Sequence, residues 1–341
     1  MDARTLKPLR GAVIGCGFFG RNHIQGWREV AGAEIVAVCD QDPARAKAWG
    51  TEFGAVPYSD AAEMLRRESL DFVDIITQPE THRPLVELCA RAGKHVICQK
   101  PMAFHLDDAR AMVAACDAAG VRFMVHENFR WQLPNRVLRE ESRRLGSPVF
   151  GRVAWWTGFD IYTNQPYLLE QPRLVIMDMG VHILDLARFF FGEFTQLYCQ
   201  VGRLEPRAKG EDVALILLKA ESGATCSVEL SYGSRITPDP FPETLVRLES
   251  PGASVELRPV RRITVDTAET LRGFEVELPA YAWADPRFLT VQDSVVRIQQ
   301  HWVECLREGR EPETSGRDNL KTLELVHAAY RSAESGEVVK L

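Results

Sequence analysis

The feature that most constrains the fold of this 341-residue chain is a glycine pattern near its start. The pattern consists of six consecutive residues: Gly15, Cys16, Gly17, Phe18, Phe19 and Gly20. A short apolar run precedes it, and a helical pattern follows. At this spacing the first glycine makes a tight turn, the second lets the backbone approach a pyrophosphate, and the third lets a helix pack closely on a strand. The pattern predicts a dinucleotide site, although an ordinary glycine-rich turn can share it.

The surrounding sequence favours the dinucleotide site, because apolar runs alternate with amphipathic stretches in the first part of the chain. Five apolar runs read as strands: 10–14, 34–39, 72–76, 95–98 and 122–125. The helical patterns at 81–92 and 106–119 are each followed by a glycine, Gly93 and Gly120, where a C-terminal cap belongs. This alternation predicts βαβ units around a parallel sheet.

An acidic residue, Asp40, closes the second predicted strand. Its carboxylate can accept hydrogen bonds from the adenosine ribose hydroxyls, and it repels the 2′-phosphate of NADP. The neighbouring Gln41 adds no positive charge, whereas Arg45 does. The alternative is that Asp40 only starts the next helix, but Asp42 and Pro43 already supply an N-cap and a first-turn proline. We therefore expect Asp40 and Gln41 to lie at the ribose and the cofactor to be NAD.

The second part of the chain has a different order of predicted elements, because its strand patterns follow one another without helices between them. Six runs come after a predicted helix at 134–145: 153–159, 196–203, 213–220, 225–232, 244–249 and 254–257. Helical patterns at 293–308 and 317–335 close the chain. Since a single core stops growing at roughly 250–300 residues, we expect two domains. They are an α/β domain over 1–128 and an α+β domain with an open, mostly antiparallel sheet over 129–341.

Composition and charge exclude several classes of protein. The net charge of −6 offers no basic surface for nucleic acid. No apolar run reaches the roughly 20 residues of a membrane span, and residues 1–8 lack the apolar core of a signal peptide. The eight cysteines are scattered, with no Cys-x-x-Cys pair and no Cys/His cluster at zinc spacing. We expect a cytoplasmic protein with no disulfides, no metal site, and no nucleic-acid or membrane partner.

Several short motifs are spread over the whole chain. They are Thr77-Gln78-Pro79-Glu80-Thr81-His82, Ala92-Gly93-Lys94-His95, Gln99-Lys100-Pro101, Asn128-Phe129-Arg130, Asp178-Met179-Gly180-Val181-His182-Ile183-Leu184-Asp185, Gly210-Glu211-Asp212-Val213 and Ala329-Tyr330-Arg331-Ser332. Together they resemble the glucose-fructose oxidoreductase, inositol 2-dehydrogenase and MocA family. The resemblance implies an N-terminal Rossmann domain and NAD(P)-dependent oxidation of sugars, inositols and related polyols. It also implies a C-terminal substrate domain whose open sheet mediates homo-oligomerisation, as a dimer or tetramer.

The resemblance further implies cofactor contacts beyond the glycine pattern. They are made by Thr77, Gln78, Pro79, His82, Gln99, Lys100 and Asn128. The family motif usually reads Glu-Lys-Pro, so Gln99 replaces a carboxylate by a neutral amide, and we expect its ribose contacts to differ. The Lys100–Pro101 peptide bond is often cis in the family, and we expect it to be cis here.

Three residues, Lys100, Asp178 and His182, match the family's catalytic positions. Oxidising a secondary alcohol needs a base for the hydroxyl proton and a stabiliser for the alkoxide. We assign His182 as the base, since an imidazole changes charge near neutral pH, and Lys100 to the alkoxide oxygen. Asp178 then orients the histidine or binds a second hydroxyl. Two alternatives stay open: Asp178 can be the N-cap of its helix, and His182 can be an ordinary core residue. For Asp185, which also matches the motif, a structural role is at least as good a reading as a functional one.

Aromatic and arginine side chains are candidates for the substrate pocket, because aromatic faces stack on the C–H faces of sugar rings. Beside the three catalytic residues, the candidates are Arg130, Trp155, Phe159, Tyr162, Tyr167 and Arg173. An equally good reading puts Trp155 and Trp156 on a strand, one in the core and one outside. Arg130 and Arg173 can instead pair with a substrate carboxylate, which would indicate a sugar acid.

These observations predict an NAD-dependent dehydrogenase that moves a hydride between NAD and a secondary alcohol of a sugar, polyol, sugar acid or glycoside. Two alternatives are an NAD-dependent, redox-assisted glycoside hydrolase and a nucleotide-sensing regulator without catalysis. Retention of Lys100 and His182 argues against the regulator, because a sensor has no use for an acid–base pair.

Overall fold

The computed structural model describes residues 7–341 and divides them into two compact units. The first unit contains residues 7–127 and 292–321, and the second contains 128–291 and 322–341. Residues 1–6, on which most of the signal-peptide prediction rests, lie outside the described residues.

The first unit is built on a six-stranded parallel sheet. Its strands are β1 (Leu9–Ile14), β2 (Ala33–Cys39), β3 (Val56–Tyr58), β4 (Phe72–Ile75), β5 (His95–Gln99) and β6 (Phe123–His126). Their order is β3-β2-β1-β4-β5-β6, that of a doubly wound Rossmann fold. The central strands are largely buried, which is why they read as continuous apolar runs. The predicted parallel sheet is confirmed, and β3 was missed because three residues are too few to show a period.

Five helices connect these strands. They are α1 (Gly20–Trp27), α2 (Pro43–Phe53), α3 (Ala61–Arg67), α4 (His82–Arg91) and α5 (Leu106–Ala119). Helix α2 begins as predicted, because the Asp42 carboxylate accepts from the amides of Ala44 and Arg45 and Pro43 occupies the first turn. Helix α5 has the bounds that its apolar period predicts, and it ends at Gly120 with a φ of 65°.

The second unit contains a nine-stranded mixed sheet. Its strands are β7 (Phe150–Trp156), β8 (Phe194–Gly202), β9 (Val213–Ala220), β10 (Thr225–Ser231), β11 (Leu245–Ser250), β12 (Ala253–Arg258), β13 (Arg262–Thr267), β14 (Leu271–Glu275) and β15 (Val339–Lys340). Their order is β14-β13-β12-β11-β7-β10-β9-β8-β15, with β7 and β10 parallel and the other neighbours antiparallel. The mostly antiparallel prediction is confirmed. The last three strands were not predicted, since β14 is largely exposed and β15 has two residues.

Three helices accompany this sheet: α6 (Leu133–Leu145), α7 (Ile161–Asn164) and α8 (Val181–Phe191). Helix α8 is buried at every residue, although it carries the charged residues Asp185 and Arg188. A helix that is buried on all sides can keep charged residues only if each finds a partner inside the protein.

Two long helices close the chain, α9 (Leu289–Glu308) and α10 (Gly316–Ser335). Most of α9 belongs to the first unit. There Trp302 meets Phe72 edge to face, with 6.5 Å between ring centroids, and Gln299 Nε2 donates to the His23 carbonyl oxygen at 3.1 Å. The predicted second domain includes 292–321, because an amphipathic helix shows that one of its faces is buried but not which domain it is buried against.

Candidate active site

The glycine loop between β1 and α1 has the geometry of a dinucleotide cradle. Gly15 adopts a φ of +106°, and a Cβ there would lie 2.5 Å from the Ile76 carbonyl oxygen. A Cβ at Gly20 would lie 2.6 Å from the Gly15 carbonyl oxygen, whereas one at Gly17 would meet nothing within 4 Å. The first and third glycines are thus required by the fold itself, while the second leaves open space beside the backbone. This loop fits a pyrophosphate at the start of α1.

The two phenylalanines of the loop have different surroundings. Phe18 is 87% exposed, and Phe19 meets the ring of His23 edge to face at 5.5 Å. The Phe18 side chain is therefore accessible for its predicted cofactor contact, whereas Phe19 is held against α1.

Asp40 lies at the end of β2 and anchors the glycine loop. Its Oδ2 accepts from the Cys16 amide at 2.8 Å, and its Oδ1 accepts from the Asp42 amide at 2.9 Å. The Arg45 guanidinium lies 3.6 Å from Asp40 and 3.8 Å from Asp42, so its charge is opposed by two carboxylates. Gln41 is exposed beside them. Asp40 therefore holds the loop that the cofactor requires, a role that its position in the sequence did not indicate.

The segment after β4 brings three predicted cofactor residues, Thr77, Gln78 and Pro79, to the carboxyl end of the parallel sheet. Pro79–Thr81 forms a 3-10 turn, and Thr81 Oγ1 donates to Thr77 Oγ1 at 2.7 Å. His82 is fully buried in the structure, and its predicted contact with the cofactor remains a prediction. Its ring nitrogens lie 3.1 Å from the carbonyl oxygens of Met102 and Thr77. His82 thus links the loops that contain Thr77 and Met102 in the first unit.

We expect the buried His82 to make stability depend on pH. Burial lowers its pKa below the ordinary value of 6.5, and the neighbouring carbonyl oxygens oppose that shift only in part. The contribution of His82 to the free energy of unfolding is therefore complete above pH 6.5. It decreases as the pH falls from 6.5 through the lowered pKa of the folded state. Urea unfolding between pH 7 and about pH 5 should show a shallower loss of free energy in His82→Gln than in the wild type. The same slope in both proteins would contradict this, and exposed His105→Gln is the control.

Gln99 and Lys100 follow β5 at the same edge of the sheet. The Gln99 Oε1 accepts from the Lys100 amide at 2.6 Å, and the Lys100–Pro101 peptide bond is cis, as the resemblance implied. Asn128, the remaining predicted cofactor residue, belongs to the second unit and is 2% exposed. The contacts of these residues with the cofactor remain predictions.

Asp178 lies in a π-helical turn, Ile176–Gly180, directly before α8. Such turns widen a helix locally and are frequent at functional sites. The N-cap position of α8 is occupied by Gly180, so Asp178 does not stand at the N-cap that the alternative assigned to it. Asp178 Oδ2 accepts from the Tyr232 hydroxyl at 2.6 Å. Burial, and after it the Asp178 charge, raises the pKa of Tyr232, which keeps this hydroxyl a donor.

His182 lies in the first turn of α8 and is 3% exposed. Its ring stacks on that of Phe129, with 4.0 Å between centroids and 7° between planes. This stacking fixes the plane of the imidazole. It is compatible with a base held in one orientation and with a core histidine, so the choice between them is a matter for experiment.

Glu211 holds the π-helical turn in place. It accepts from the backbone amides of Leu174 and Ile176 at 3.1 Å and from the Tyr330 hydroxyl at 2.8 Å. Tyr330 in turn accepts from the Met177 amide at 3.1 Å. The motif Gly210-Glu211-Asp212, which the sequence analysis quoted without a role, thus positions the backbone that carries Asp178.

Arg130 was predicted to bind substrate, but the structure pairs it with Asp185. Its guanidinium donates to both carboxylate oxygens, Nε to Oδ2 at 2.5 Å and Nη2 to Oδ1 at 2.7 Å, and neither side chain is more than 8% exposed. Thr322 Oγ1 also donates to Asp185, and Arg188 donates to Thr322. This bidentate buried network supplies the partners that α8 requires. The observed contacts of Arg130 and Asp185 are thus structural, and a contact of Arg130 with substrate remains a prediction.

Breaking this network should cost much of the stability of the second unit. We expect Arg130→Met to lower the free energy of unfolding by about 3–5 kcal/mol, because Asp185 stays buried without its bidentate partner. Urea unfolding measures the change. The matched control is Arg67→Met, which removes an exposed ion pair with Glu63 and should cost no more than about 1 kcal/mol. Equal effects of the two substitutions would contradict the assignment.

The aromatic candidates separate into core and surface residues. Trp155 is 2% exposed and packs edge to face on Tyr232 and Phe241, which agrees with the core position that the strand alternation allowed. Phe159 stacks on Phe241 at 4.4 Å, and Trp156 is the outer residue of the pair that the strand alternation predicted.

The polar candidates of the substrate pocket also have partners in the second unit. Tyr162 donates to Asp212 at 3.3 Å, and Tyr167 donates to Gln165 at 2.6 Å. The Arg173 guanidinium lies over the Tyr330 ring at 4.6 Å and pairs with Glu334. Tyr167 and Arg173 remain exposed, and a role for either in substrate binding remains a prediction.

Tyr232 is the site residue that the sequence analysis missed. It follows the last residue of β10 and lies beside Trp155 of the parallel neighbour β7. Its position at the carboxyl end of a parallel strand pair was the available signal, but the run read only as part of a strand.

Metal-binding geometry is absent from the part of the chain that the structure describes. No group of three or more His, Cys, Asp or Glu side chains among residues 7–341 is arranged to hold an ion. No helix there is both long and apolar enough to cross a membrane. All eight cysteines are buried thiols.

Both units match models of one oxidoreductase family. Residues 9–127 match the GFO/IDH/MocA model described as "Oxidoreductase family, NAD-binding Rossmann fold", and residues 139–243 match the GFO/IDH/MocA C-terminal domain.

Similar proteins cover the chain almost completely. A D-apiose dehydrogenase from Paraburkholderia graminis is 50% identical over 99% of this chain and 91% of its own length. A second, from Rhizobium rhizogenes, is 44% identical over 99% of both. The crystal structure of an oxidoreductase from Agrobacterium radiobacter in complex with NAD+, L-tartaric acid and magnesium is 44% identical, with a TM-score of 0.95 over 98% of both chains.

Proposed function

We propose that D-apiose is the substrate of this chain, which belongs to the GFO/IDH/MocA oxidoreductase family and is an NAD-dependent dehydrogenase acting on CH–OH groups. The observation that carries the substrate is the identity along the whole chain with two proteins that are both named D-apiose dehydrogenase. A sugar substrate agrees with the three predicted catalytic residues, Lys100, Asp178 and His182, which are polar and titratable.

The first unit supplies the groups that hold NAD. The open face at Gly17 and the amides at the start of α1 would hold the pyrophosphate, and Asp40, which accepts from the Cys16 amide of this loop, would bind the adenosine ribose. When bound, NAD+ accepts a hydride from the substrate carbon.

Lys100, His182 and Asp178 divide the remaining chemistry. The Lys100 ammonium stabilises the negative charge that develops on the substrate oxygen. The His182 imidazole, held flat against Phe129, takes the proton from that oxygen. Asp178, oriented by the Tyr232 hydroxyl, binds a neighbouring sugar hydroxyl. Each group thus acts on the substrate oxygen or on the hydroxyl beside it.

The test is turnover of a panel of compounds by the purified protein. D-apiose, other aldoses, inositols, sugar acids and glycosides are incubated with NAD+, and the absorbance of NADH is followed. We expect D-apiose to give the highest kcat/KM. A higher value for another compound would reject D-apiose, cleavage of a glycoside without NADH would support the hydrolase, and binding of NAD without any turnover would support the regulator.

We also propose that the chain forms homo-oligomers in the cytoplasm through the open face of the nine-stranded sheet. On β9, Leu215 and Leu217 are nearly half exposed and alternate with buried neighbours, which leaves apolar surface on one face. Eight reduced cysteines support a reducing compartment. Light scattering of the purified protein gives the mass, and a monomer would contradict this proposal.

A further inference from the structure

A chain of buried polar side chains crosses the first unit behind Lys100. Asp74 on β4 and His23 on α1 are fully buried, and Gln99 at the end of β5 is 7% exposed. His23 Nδ1 lies 2.8 Å from Asp74 Oδ2, and Gln99 Nε2 lies 3.0 Å from His23 Nε2. Gln99 Oε1 then accepts from the Lys100 amide at 2.6 Å. The chain therefore runs from a buried carboxylate to the backbone of Lys100.

Each hydrogen bond in this chain has a fixed direction. The Lys100 backbone N–H can only donate, so it requires the oxygen of the Gln99 amide, and the Gln99 nitrogen must face His23. Because that nitrogen can only donate, His23 Nε2 must be an acceptor. The imidazole is then neutral, with its proton on Nδ1 and donated to Asp74. Asp74 Oδ2 accepts a second bond, from Trp27 Nε1 at 2.8 Å.

The surroundings of His23 hold it in this orientation. Its ring lies against that of His126, with 4.0 Å between centroids, and its backbone oxygen accepts from Gln299 on α9. His23 stands in the helix that begins at Gly20. The chain therefore connects the helix of the cofactor loop to the residue that precedes Lys100.

We infer that Asp74, His23 and Gln99 are positioning residues that fix the backbone of Lys100, and that the neutral amide at position 99 keeps His23 uncharged. The inference rests on the proposed function, because it needs Lys100 at the reacting end. It accounts for the replacement of the family's usual carboxylate by Gln99. A carboxylate there would face the lone pair of His23 Nε2 and would require a second proton on the ring.

Histidine NMR tests the direction of the chain without any need for turnover. In protein labelled with ¹⁵N-histidine, the resonances of His23 are assigned by their loss in His23→Gln. We expect a neutral His23 with its proton on Nδ1 in the wild type, and an imidazolium in Gln99→Glu at neutral pH. A wild-type proton on Nε2, or a neutral ring in Gln99→Glu, would overturn the inference.

Kinetics test the positioning of Lys100. Gln99→Leu removes the side-chain acceptor of the Lys100 amide, and we expect kcat to fall by roughly 10-fold to 100-fold with little change in the KM for the sugar. Gln99→Glu restores the acceptor and should recover most of kcat, with a pH profile altered by the new charge. The control is His95→Gln at the opposite end of β5, where the ring accepts from the Arg122 amide. His95 is not a member of the series of hydrogen bonds from Asp74 to Lys100.

The outcomes separate this inference from the proposed function. An unchanged kcat in folded Gln99→Leu, or a loss of the same size in His95→Gln, would overturn the positioning role. If Gln99→Leu does not fold, a kcat of Gln99→Glu close to that of the wild type supports the positioning role, and a much lower kcat counts against it. A wild type that turns over no sugar would reject the proposed function, whatever the NMR shows.

Discussion

Replacement of Lys100 by methionine is expected to lower kcat by roughly 10²–10⁴-fold, the range for loss of a group that moves or stabilises charge in the transition state. Methionine keeps most of the length of the side chain and removes the ammonium. The substrate oxygen then develops its negative charge with no cation to stabilise it. Steady-state rates of NADH formation with D-apiose give kcat and KM separately, and the loss should fall on kcat.

The matched control for this variant is Lys94→Met. The Lys94 ammonium donates to the Leu70 carbonyl oxygen, a structural contact at the other end of β5. We expect this control to lose some stability and to keep its kcat. A kcat in Lys100→Met within about threefold of the wild type would remove Lys100 from the chemistry, since a transition-state contact of this kind is worth far more.

Replacement of His182 by phenylalanine is expected to have an effect of similar size, roughly 10²–10⁴-fold on kcat. Phenylalanine keeps a ring that can stack on Phe129, so the packing of α8 is largely preserved. It cannot accept a proton, however. Steady-state rates of NADH formation with D-apiose measure the change in kcat.

This variant distinguishes the two readings of a buried histidine. If His182 is only a core residue stacked on Phe129, the phenylalanine variant should turn over normally and melt at a similar temperature. If it is the base, the melting temperature stays and the turnover is lost. Phe129→Leu is the complementary control, since it removes the stacking partner and keeps the imidazole.

Local signals in the sequence were sufficient for much of the first unit. Helix α5 has the predicted bounds because its apolar period, its acidic first turn and Gly120 all agree. Gly15 and Gly20 occupy the strained and crowded positions that the glycine spacing implied. Such features depend on neighbours within a few residues, and the sequence displays these directly.

The contacts that the sequence did not predict join residues far apart along the chain. Arg130 meets Asp185 across 55 residues, and His82 bridges two loops from a fully buried position. A motif shows that a residue type is required at a position, but not whether the side chain points to a ligand or to another element. Tyr232 was missed for the same reason, because its partner Asp178 precedes it by 54 residues.

The return of α9 to the first unit has a consequence for synthesis on the ribosome. Phe72 and helix α1 lack part of their packing until residues 292–321 have emerged, because Trp302 and Gln299 contact them only then. The first part of the nucleotide-binding unit is synthesised early, but the unit is complete only after residues 292–321 have been added. A fragment that stops at Glu127 would leave apolar surface in water that the full chain keeps covered.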